Sequence, residues 1–182
     1  GTILMEAMLM GNSAVGSDAD PKMVAGCEQN LAWLRQNCKI APELESKIFR
    51  RSATELTHDI IATTLGGGSN LLVVTEPYLG PPLSTFPALA FLEKVLNELS
   101  ALYLGFFKNI ASWLPKGTSI VFIFPYWKKN NLEKVRSSER LVAKIESLGY
   151  IKTAFDPLQT TSLFYERSDQ IVGREIMRFI KT

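Results

Sequence analysis

Short apolar runs, bounded by polar or turn-forming residues, recur along the chain and predict buried β-strands. The clearest is the run LLVVT over 71–75. The tail over about 150–180 predicts two further strands joined by a turn near Ser168 and Asp169, although its apolar spacing would also suit a helix. The other predicted strands lie at 13–18, 47–53 and 118–124.

Between these runs, apolar residues recur every three or four positions, as they do in amphipathic helices. Asp20 followed by Pro21 is a strong helix start, because a capping carboxylate precedes a proline at the first helical position. Thr2 and Gly11 predict the start and the end of the first helix. The predicted helices lie at 2–10, 21–37, 55–64, 87–113 and 132–148, with a glycine turn at 66–68.

Helices and strands therefore alternate regularly along the chain. This order predicts an α/β fold with a mostly parallel sheet, helices on both faces and an antiparallel C-terminal strand pair. The 182 residues, of which 46% are hydrophobic, provide enough apolar material for a single domain over 1–182. Ligands of such sheets bind beyond the carboxyl ends of the strands, so the residues that follow strands are the functional candidates.

The net charge, the two cysteines and the one histidine argue against several classes of function. A formal net charge of only +2 argues against broad phosphate binding by the whole surface. Cys27 and Cys38 match no metal-binding spacing, and the only histidine, His58, lies in a predicted helix, which disfavours a Ser-His hydrolase and a zinc site. With no signal peptide and no apolar run of about 18 residues, the sequence predicts a cytoplasmic protein without a membrane segment or a metal.

Polar residues at two strand ends are candidates for binding a nucleoside. Asp18 ends the first predicted strand, where an acid can accept hydrogen bonds from both hydroxyls of a ribose. The alternative is an acid at a helix entry, a role that Asp20 already fills. Ser52, Ala53 and Thr54 end the next strand and predict either a small polar surface for the edge of an adenine or, through Thr54, a helix cap.

The strongest strand is followed by Thr75, Glu76, Pro77 and Tyr78. A carboxylate here could accept hydrogen bonds from the exocyclic amino group of a base, and an aromatic ring could stack on that base. The alternative is a rigid proline-rich connection in which Tyr78 packs on the core. The spacing alone leaves both interpretations open.

Two further clusters are weaker candidates. The segment Tyr126–Trp127–Lys128–Lys129 follows a strand and could stack on RNA and neutralise it, or form a solvated loop. Arg136, Arg140 and Lys144 lie at helical spacing, which is typical of a solvated helix face.

The segments GTILMEAMLMG, VGSDADPKMVAGCEQNLAWL, TEPYLGPP and LFYERSDQIVGREI, in this order, resemble the methyltransferase domain of the tRNA guanine-N2 methyltransferase family. The resemblance covers nearly the whole chain. It implies a Rossmann-like fold, S-adenosylmethionine as methyl donor without a metal, and methylation of an exocyclic amino group in RNA, namely N2 of guanosine in tRNA. Such enzymes often carry a separate RNA-binding THUMP domain upstream.

The family's first motif ends with a glycine and a threonine, which correspond to Gly1 and Thr2. The resemblance therefore implies that the first central strand and most of its glycine loop are absent from this sequence. The family's cofactor-binding acid corresponds to Asp18, with Ala19 beside it.

The family's Asp-Pro-Pro-Tyr motif corresponds to the stretch that starts at Glu76, with Thr75 before it on the cofactor side. The implied catalytic residues are Glu76, Pro77 and Tyr78. This sequence departs from the motif, because glutamate replaces aspartate and the aromatic residue comes one position early.

Two alternatives stay open. The first is an amino methyltransferase that acts on DNA or on a protein side chain. The second is a fragment that folds without binding the cofactor or catalysing a reaction. Because a missing central strand leaves unpaired backbone on its neighbours, we expect the strand at 13–18 to pair directly with 70–75, or a second chain to fill the gap and form a dimer through the exposed strand edges.

Overall fold

The computed structural model describes residues 1–59, 70–130 and 133–182. The chain forms two compact units, Gly1–Asn70 and Leu71–Thr182. Each unit combines helices with a sheet of its own, which confirms the predicted α/β class. A single catalytic domain over 1–182 stays a prediction.

The described residues of the first unit form two helices and a two-stranded parallel sheet. These elements are α1 (Thr2–Leu9), β1 (Ala14–Asp18), α2 (Pro21–Asn37) and β2 (Ser46–Arg50). Parallel strands require a crossover connection, and α2 provides it. The register places Asp18 opposite Arg50, so both strands end at the same edge of the sheet.

Local chemistry sets the ends of both helices in this unit. Asp20 Oδ1 accepts a hydrogen bond of 2.8 Å from a backbone N–H of the first turn of α2, and Pro21 is the first helical residue. The predicted bounds of this helix are confirmed. In α1, Gly1 occupies the capping position and Thr2 is already helical, so the predicted Thr2 cap is wrong. Gly11, with a φ of +80°, follows the end of α1 as predicted.

The core of the first unit lies between α1, α2 and the start of β1. Each fully buried aliphatic side chain contributes about 1.5–3 kcal/mol relative to an exposed one. The buried residues are Leu4, Met8, Ala14, Cys27, Leu31 and Leu34.

The second unit is a six-stranded mixed sheet with helices. Its elements are β3 (Leu72–Thr75), α3 (Leu89–Ala111), β4 (Ser119–Lys128), β5 (Lys134–Arg136), a 3₁₀ turn (Ser138–Arg140), α4 (Val142–Glu146), β6 (Tyr150–Thr153), β7 (Leu163–Tyr165) and β8 (Val172–Lys181). The main strand order is β3-β4-β8-β6, with β5 paired to β4 and β7 paired to β8. Among the described strands of this sheet, only β3 and β4 pair in parallel, and the crossover between them contains α3.

An aromatic cluster fixes α3 on this sheet. Phe107 of α3 lies between Phe122 of β4 and Phe179 of β8, with ring centroids 5.1 and 5.5 Å apart. Tyr103, one turn earlier, meets Phe122 edge to face at 5.0 Å. Such pairs contribute about 0.5–1.5 kcal/mol each beyond the area they bury. The long helix is therefore packed against β4 and β8 through these rings.

The long helix predicted over 132–148 is wrong. The chain instead forms β5, the 3₁₀ turn and the short helix α4. Ser137 Oγ donates to the backbone carbonyl of Pro125 at 2.8 Å, and Ser138 Oγ donates to Glu175 at 2.5 Å. These bonds to distant residues override the local helical spacing.

Most other predicted elements are confirmed within a few residues. The strand predicted at 118–124 continues to Lys128, and the one predicted at 47–53 is shorter. The tail contains β6 in addition to the predicted pair β7 and β8 with its turn. Most of the helix predicted at 55–64, the glycine turn and residue 132 lie outside the described residues. In the described part of the chain, no helix is long and apolar enough to cross a membrane.

Each unit has its own parallel strand pair, β1 with β2 in the first and β3 with β4 in the second. The predicted direct pairing between 13–18 and 70–75 would join the two units and stays a prediction, as does a second chain at these strand edges.

Candidate active site

Asp18 is the last residue of β1, and its side chain is half-buried. Its Oδ1 accepts a hydrogen bond of 2.8 Å from the backbone N–H of Asp20, which orients the carboxylate. Asp20 uses its own side chain to cap α2, so the two acids have different roles. Among the described residues, no donor binds the other oxygen of Asp18, Oδ2. That oxygen is therefore an acceptor for a hydroxyl group, and Ala19 beside it is exposed.

Ser52, Ala53 and Thr54 form a turn just beyond β2. The Oγ atoms of Ser52 and Thr54 lie 2.9 Å apart, and the Thr54 N–H donates to Ser52 Oγ at 3.3 Å. Next to this turn, the N–H of Arg51 donates to the backbone carbonyl of Asp18 at 2.9 Å. The structure therefore brings the small polar turn and Asp18 to the same sheet edge, as the sequence predicts.

Gly1 lies at the start of α1, against α2. A Cβ atom at Gly1 would lie 2.5 Å from Cys27 Sγ and 3.1 Å from Cys27 Cα. A side chain here would displace the Cys27 thiol and crowd the Cys27 backbone, so glycine suits this close approach. Thr2 is exposed in the first turn of α1, where backbone N–H groups have no partner within the helix.

In the second unit, Thr75 ends β3 and Glu76 follows it directly. Glu76 forms a bidentate ion pair with Arg174 of β8: Nε lies 3.0 Å from Oε2, and Nη2 lies 3.1 Å from Oε1. The Glu76 side chain is 38% exposed and that of Arg174 is 27% exposed. The hydrogen bond to Glu76 raises the pKa of Arg174. The carboxylate is thus fixed in direction and still open to solvent.

The loop after Glu76 is bonded to a side chain of α3. The buried Tyr103 hydroxyl donates to the backbone carbonyl of Tyr78 at 2.7 Å. Burial, and secondarily the nearby Glu76 carboxylate, raises the pKa of Tyr103, so this hydroxyl remains a donor. Gly80 has a φ of +95°, and a Cβ there would lie 3.2 Å from Val95. The Tyr78 side chain is nevertheless 59% exposed, so the interpretation that it packs in the core is wrong.

The aromatic-basic segment after the predicted strand has a different role from either interpretation in the sequence. Tyr126 and Trp127 are fully buried within β4, so they neither form a solvated loop nor stack on RNA. The Tyr126 hydroxyl donates to Glu166 Oε2 at 2.5 Å, and Lys134 Nζ lies 3.1 Å from the same oxygen. Burial, followed by the Glu166 bond, raises the pKa of Tyr126.

The sequence patterns indicate no role for Arg174, the residue that binds Glu76. A signal was present, because Arg174 and Glu175 are adjacent charges inside the apolar strand VGREIMRFIK. Charged residues in such a strand normally have partners. A cavity lined by residues 86–89, Lys129, Lys134 and their neighbours contains none of the predicted catalytic or cofactor-binding residues.

No protein-family model and no curated protein sequence matches the chain. Solved structures do match it. The crystal structure of TrmN from Thermus thermophilus has a TM-score of 0.58 and 16% sequence identity, over 100% of this chain and 41% of that chain. The chain thus spans less than half the length of TrmN. At this identity the likeness shows the fold alone, and it confirms the predicted Rossmann-like fold.

Two further structures match with lower scores. One is the 1,6-didemethyltoxoflavin-N1-methyltransferase of Burkholderia thailandensis with bound S-adenosylhomocysteine, with a TM-score of 0.46 and 13% identity over 100% of this chain and 76% of that one. The other is an rRNA methylase from Streptococcus thermophilus, with a TM-score of 0.43 and 12% identity over 93% of this chain and 75% of that one.

Proposed function

We propose that this chain transfers a methyl group from S-adenosylmethionine to an exocyclic amino group of a base in RNA. The observation that carries the proposal is the Glu76 carboxylate, which is oriented and solvent-accessible directly after β3, two residues before the exposed Tyr78. The fold shared with TrmN supports it. The finer assignment, N2 of guanosine in tRNA, rests on the resemblance of the sequence segments.

The first unit offers groups that fit a nucleoside cofactor. Asp18 provides a free carboxylate oxygen for ribose hydroxyls, and the turn at Ser52–Ala53–Thr54 provides a small polar surface for the edge of an adenine. Gly1 and Thr2 place a helix N-terminus in the same unit, and such termini favour a carboxylate. When bound, S-adenosylmethionine supplies an electrophilic methyl group. We assign Ala19 and Thr75 to contacts with it.

The second unit offers groups that fit the base. An amino nitrogen conjugated to a base is a poor nucleophile, because its lone pair is delocalised into the ring. Hydrogen bonds from its protons to the Glu76 carboxylate favour a localised lone pair as the new bond forms. Pro77 keeps the turn rigid, and the Tyr78 ring stacks on the base, a contact that contributes about 1–3 kcal/mol. The nitrogen must then lie in line with the methyl group at about 3 Å.

Two partner proposals rest on the same sequence resemblance, namely a tRNA substrate and a separate RNA-binding domain outside this sequence. A dimer through open strand edges is proposed from the predicted strand pattern, and a cytoplasmic location from the sequence features described above.

The cofactor assignment is tested by calorimetric titration of S-adenosylmethionine into the wild-type chain and into D18A. We expect D18A to weaken binding by about 10–100-fold, because a hydrogen bond to a charged group contributes about 1.5–3 kcal/mol. D20A is the matched control, since it removes an acid two residues away that only caps α2. Equal weakening by both variants would contradict the ribose role of Asp18. Binding only by a chain extended upstream would favour the alternative of an inactive fragment.

The catalytic assignment is tested by transfer of a radioactive methyl group to unmodified tRNA transcripts. We expect E76Q to slow transfer by about 10²-fold, the usual loss when one interaction that stabilises a transition state is removed. E98Q, which changes an exposed carboxylate of α3, is the control. Undiminished transfer by E76Q would contradict the role of Glu76. Transfer to DNA oligonucleotides or to protein in place of RNA would favour the alternative substrates.

A further inference from the structure

Arg174 and Glu76 lie 98 positions apart in the sequence and meet through two nearly equal hydrogen bonds of 3.0 and 3.1 Å. A planar guanidinium matches a carboxylate in this side-on arrangement, and the two parallel bonds fix the plane and the direction of both groups. A single bond would leave the carboxylate free to rotate. The geometry therefore determines where the free lone pairs of Glu76 point.

Arg174 is held more firmly than the carboxylate that it binds. It lies within β8, between β4 and β7, with Pro125 and Tyr165 as its register partners. Its guanidinium carbon lies 5.9 Å from the centroid of the Tyr165 ring, a cation–π contact. Glu76, by contrast, begins a loop. The strand residue is thus the fixed partner, and the loop residue takes its orientation from it.

We propose that Arg174 is a positioning residue, which orients the Glu76 carboxylate for the amino group of the base. This inference rests on the proposed function. A carboxylate offers about four lone-pair sites, and Arg174 occupies two of them. The remaining sites accept the protons of the amino group from the side opposite the guanidinium. Arg174 contributes through Glu76 and makes no contact with the methyl group.

This role predicts a specific pattern of variants in single-turnover methyl transfer to a tRNA transcript. R174Q slows transfer by about 10–100-fold, because a small misplacement of a reacting group has an effect of that size. R174K keeps the positive charge but cannot form the bidentate pair of hydrogen bonds, so it recovers only part of the transfer rate. In the E76Q background, R174Q causes no further loss, because the residue through which it acts is already altered.

R178Q is the matched control, since Arg178 lies four residues along the same strand and bonds to Ser119 and to the backbone carbonyl of Ala154. We expect R178Q to transfer methyl groups at the wild-type rate. Circular dichroism of each variant reports whether the unit is folded. The ¹⁵N-correlated Nε–H signal of Arg174, recorded without cofactor or RNA, reports the pair directly, and we expect E76Q to shift it while E98Q leaves it unchanged.

Three results would overturn the inference. They are R174Q transfer as fast as that of R178Q, an equal slowing by R174Q in the wild-type and E76Q backgrounds, and an Nε–H signal unaffected by E76Q. If E76Q shifts this signal as expected and the wild-type chain nevertheless transfers no methyl group to RNA, the result would instead contradict the proposed function. The failure of one proposal is thus distinguishable from the failure of the other.

Discussion

The buried ion pair between Arg136 and Glu175 provides a direct test of what stabilises the second unit. The Glu175 side chain is fully buried and accepts hydrogen bonds from Arg136 Nε at 3.0 Å, from Arg136 Nη2 and from Ser138 Oγ at 2.5 Å. The Arg136 side chain is 30% exposed. The substitution R136M removes the cation and leaves the carboxylate buried with a single hydroxyl donor.

Removing one partner of a buried ion pair usually destabilises a protein by about 3–5 kcal/mol. Because Arg136 is partly exposed, water can reach part of the vacated space, and we expect a loss near the lower end, about 3 kcal/mol. The control is R140M. Arg140 also forms a bidentate pair, with Glu93, but the two side chains are 47% and 53% exposed. For this exposed pair we expect a much smaller loss, because water screens both charges.

The assay is urea unfolding followed by tryptophan fluorescence. Of the three tryptophans, Trp33 lies in the first unit and is exposed, so a W33F background makes the signal specific for the second unit. The double variant R136M/E175M tests the mechanism, because replacing a buried pair with apolar side chains is often neutral. We expect it to recover most of the lost free energy of unfolding. Equal losses for R136M and R140M would refute the reasoning, as would a double variant less stable than R136M.

Two further predictions concern buried tyrosines and the loop after Glu76. Burial raises the pKa of Tyr103, Tyr126 and Tyr150. The stabilising effect of these neutral side chains is therefore complete below the unfolded pKa of about 10 and is lost as the pH rises further. Phenolate absorbance should show the three tyrosines ionising only with alkaline unfolding, and their ionisation in a folded protein would contradict this. The substitution G80A adds a close contact with Val95 to the strain of a positive φ, whereas G117A adds the strain alone. Thermal unfolding should therefore show a larger loss of stability for G80A. Equal losses of stability would contradict the close packing at Gly80.

Elements set by local chemistry were predictable from the sequence. Helix α2 is the clearest case, because Asp20 and Pro21 define its start and its apolar spacing defines its extent. The same holds for the buried run that becomes β3. In both segments, propensity, capping and periodicity indicate the same structure, so tertiary contacts had nothing to override.

The segment over 132–148 shows where that reasoning fails. Leu141 and Ile145 have helical spacing and are buried, and only the short helix α4 forms around them. Upstream, Arg136 and Ser138 instead bind Glu175, whose position in the sequence is 37 residues or more away. Periodicity measures only neighbours along the chain, so it assigned Arg136 to a solvated helix face, and this assignment is wrong.

The same limit applies to the candidate site. The strand end at Glu76 was predictable, but its partner was not, because no local pattern links positions that are 98 residues apart. Arg174 and Glu175 together show how the partner could have been sought. Successive side chains of a strand point to opposite faces, so two adjacent charges in an apolar strand require two separate partners. Glu175 meets Arg136 within the protein, while Arg174 meets a carboxylate that solvent still reaches. Of the two charges, therefore, Arg174 is the one whose substitution should affect methyl transfer without removing a buried ion pair.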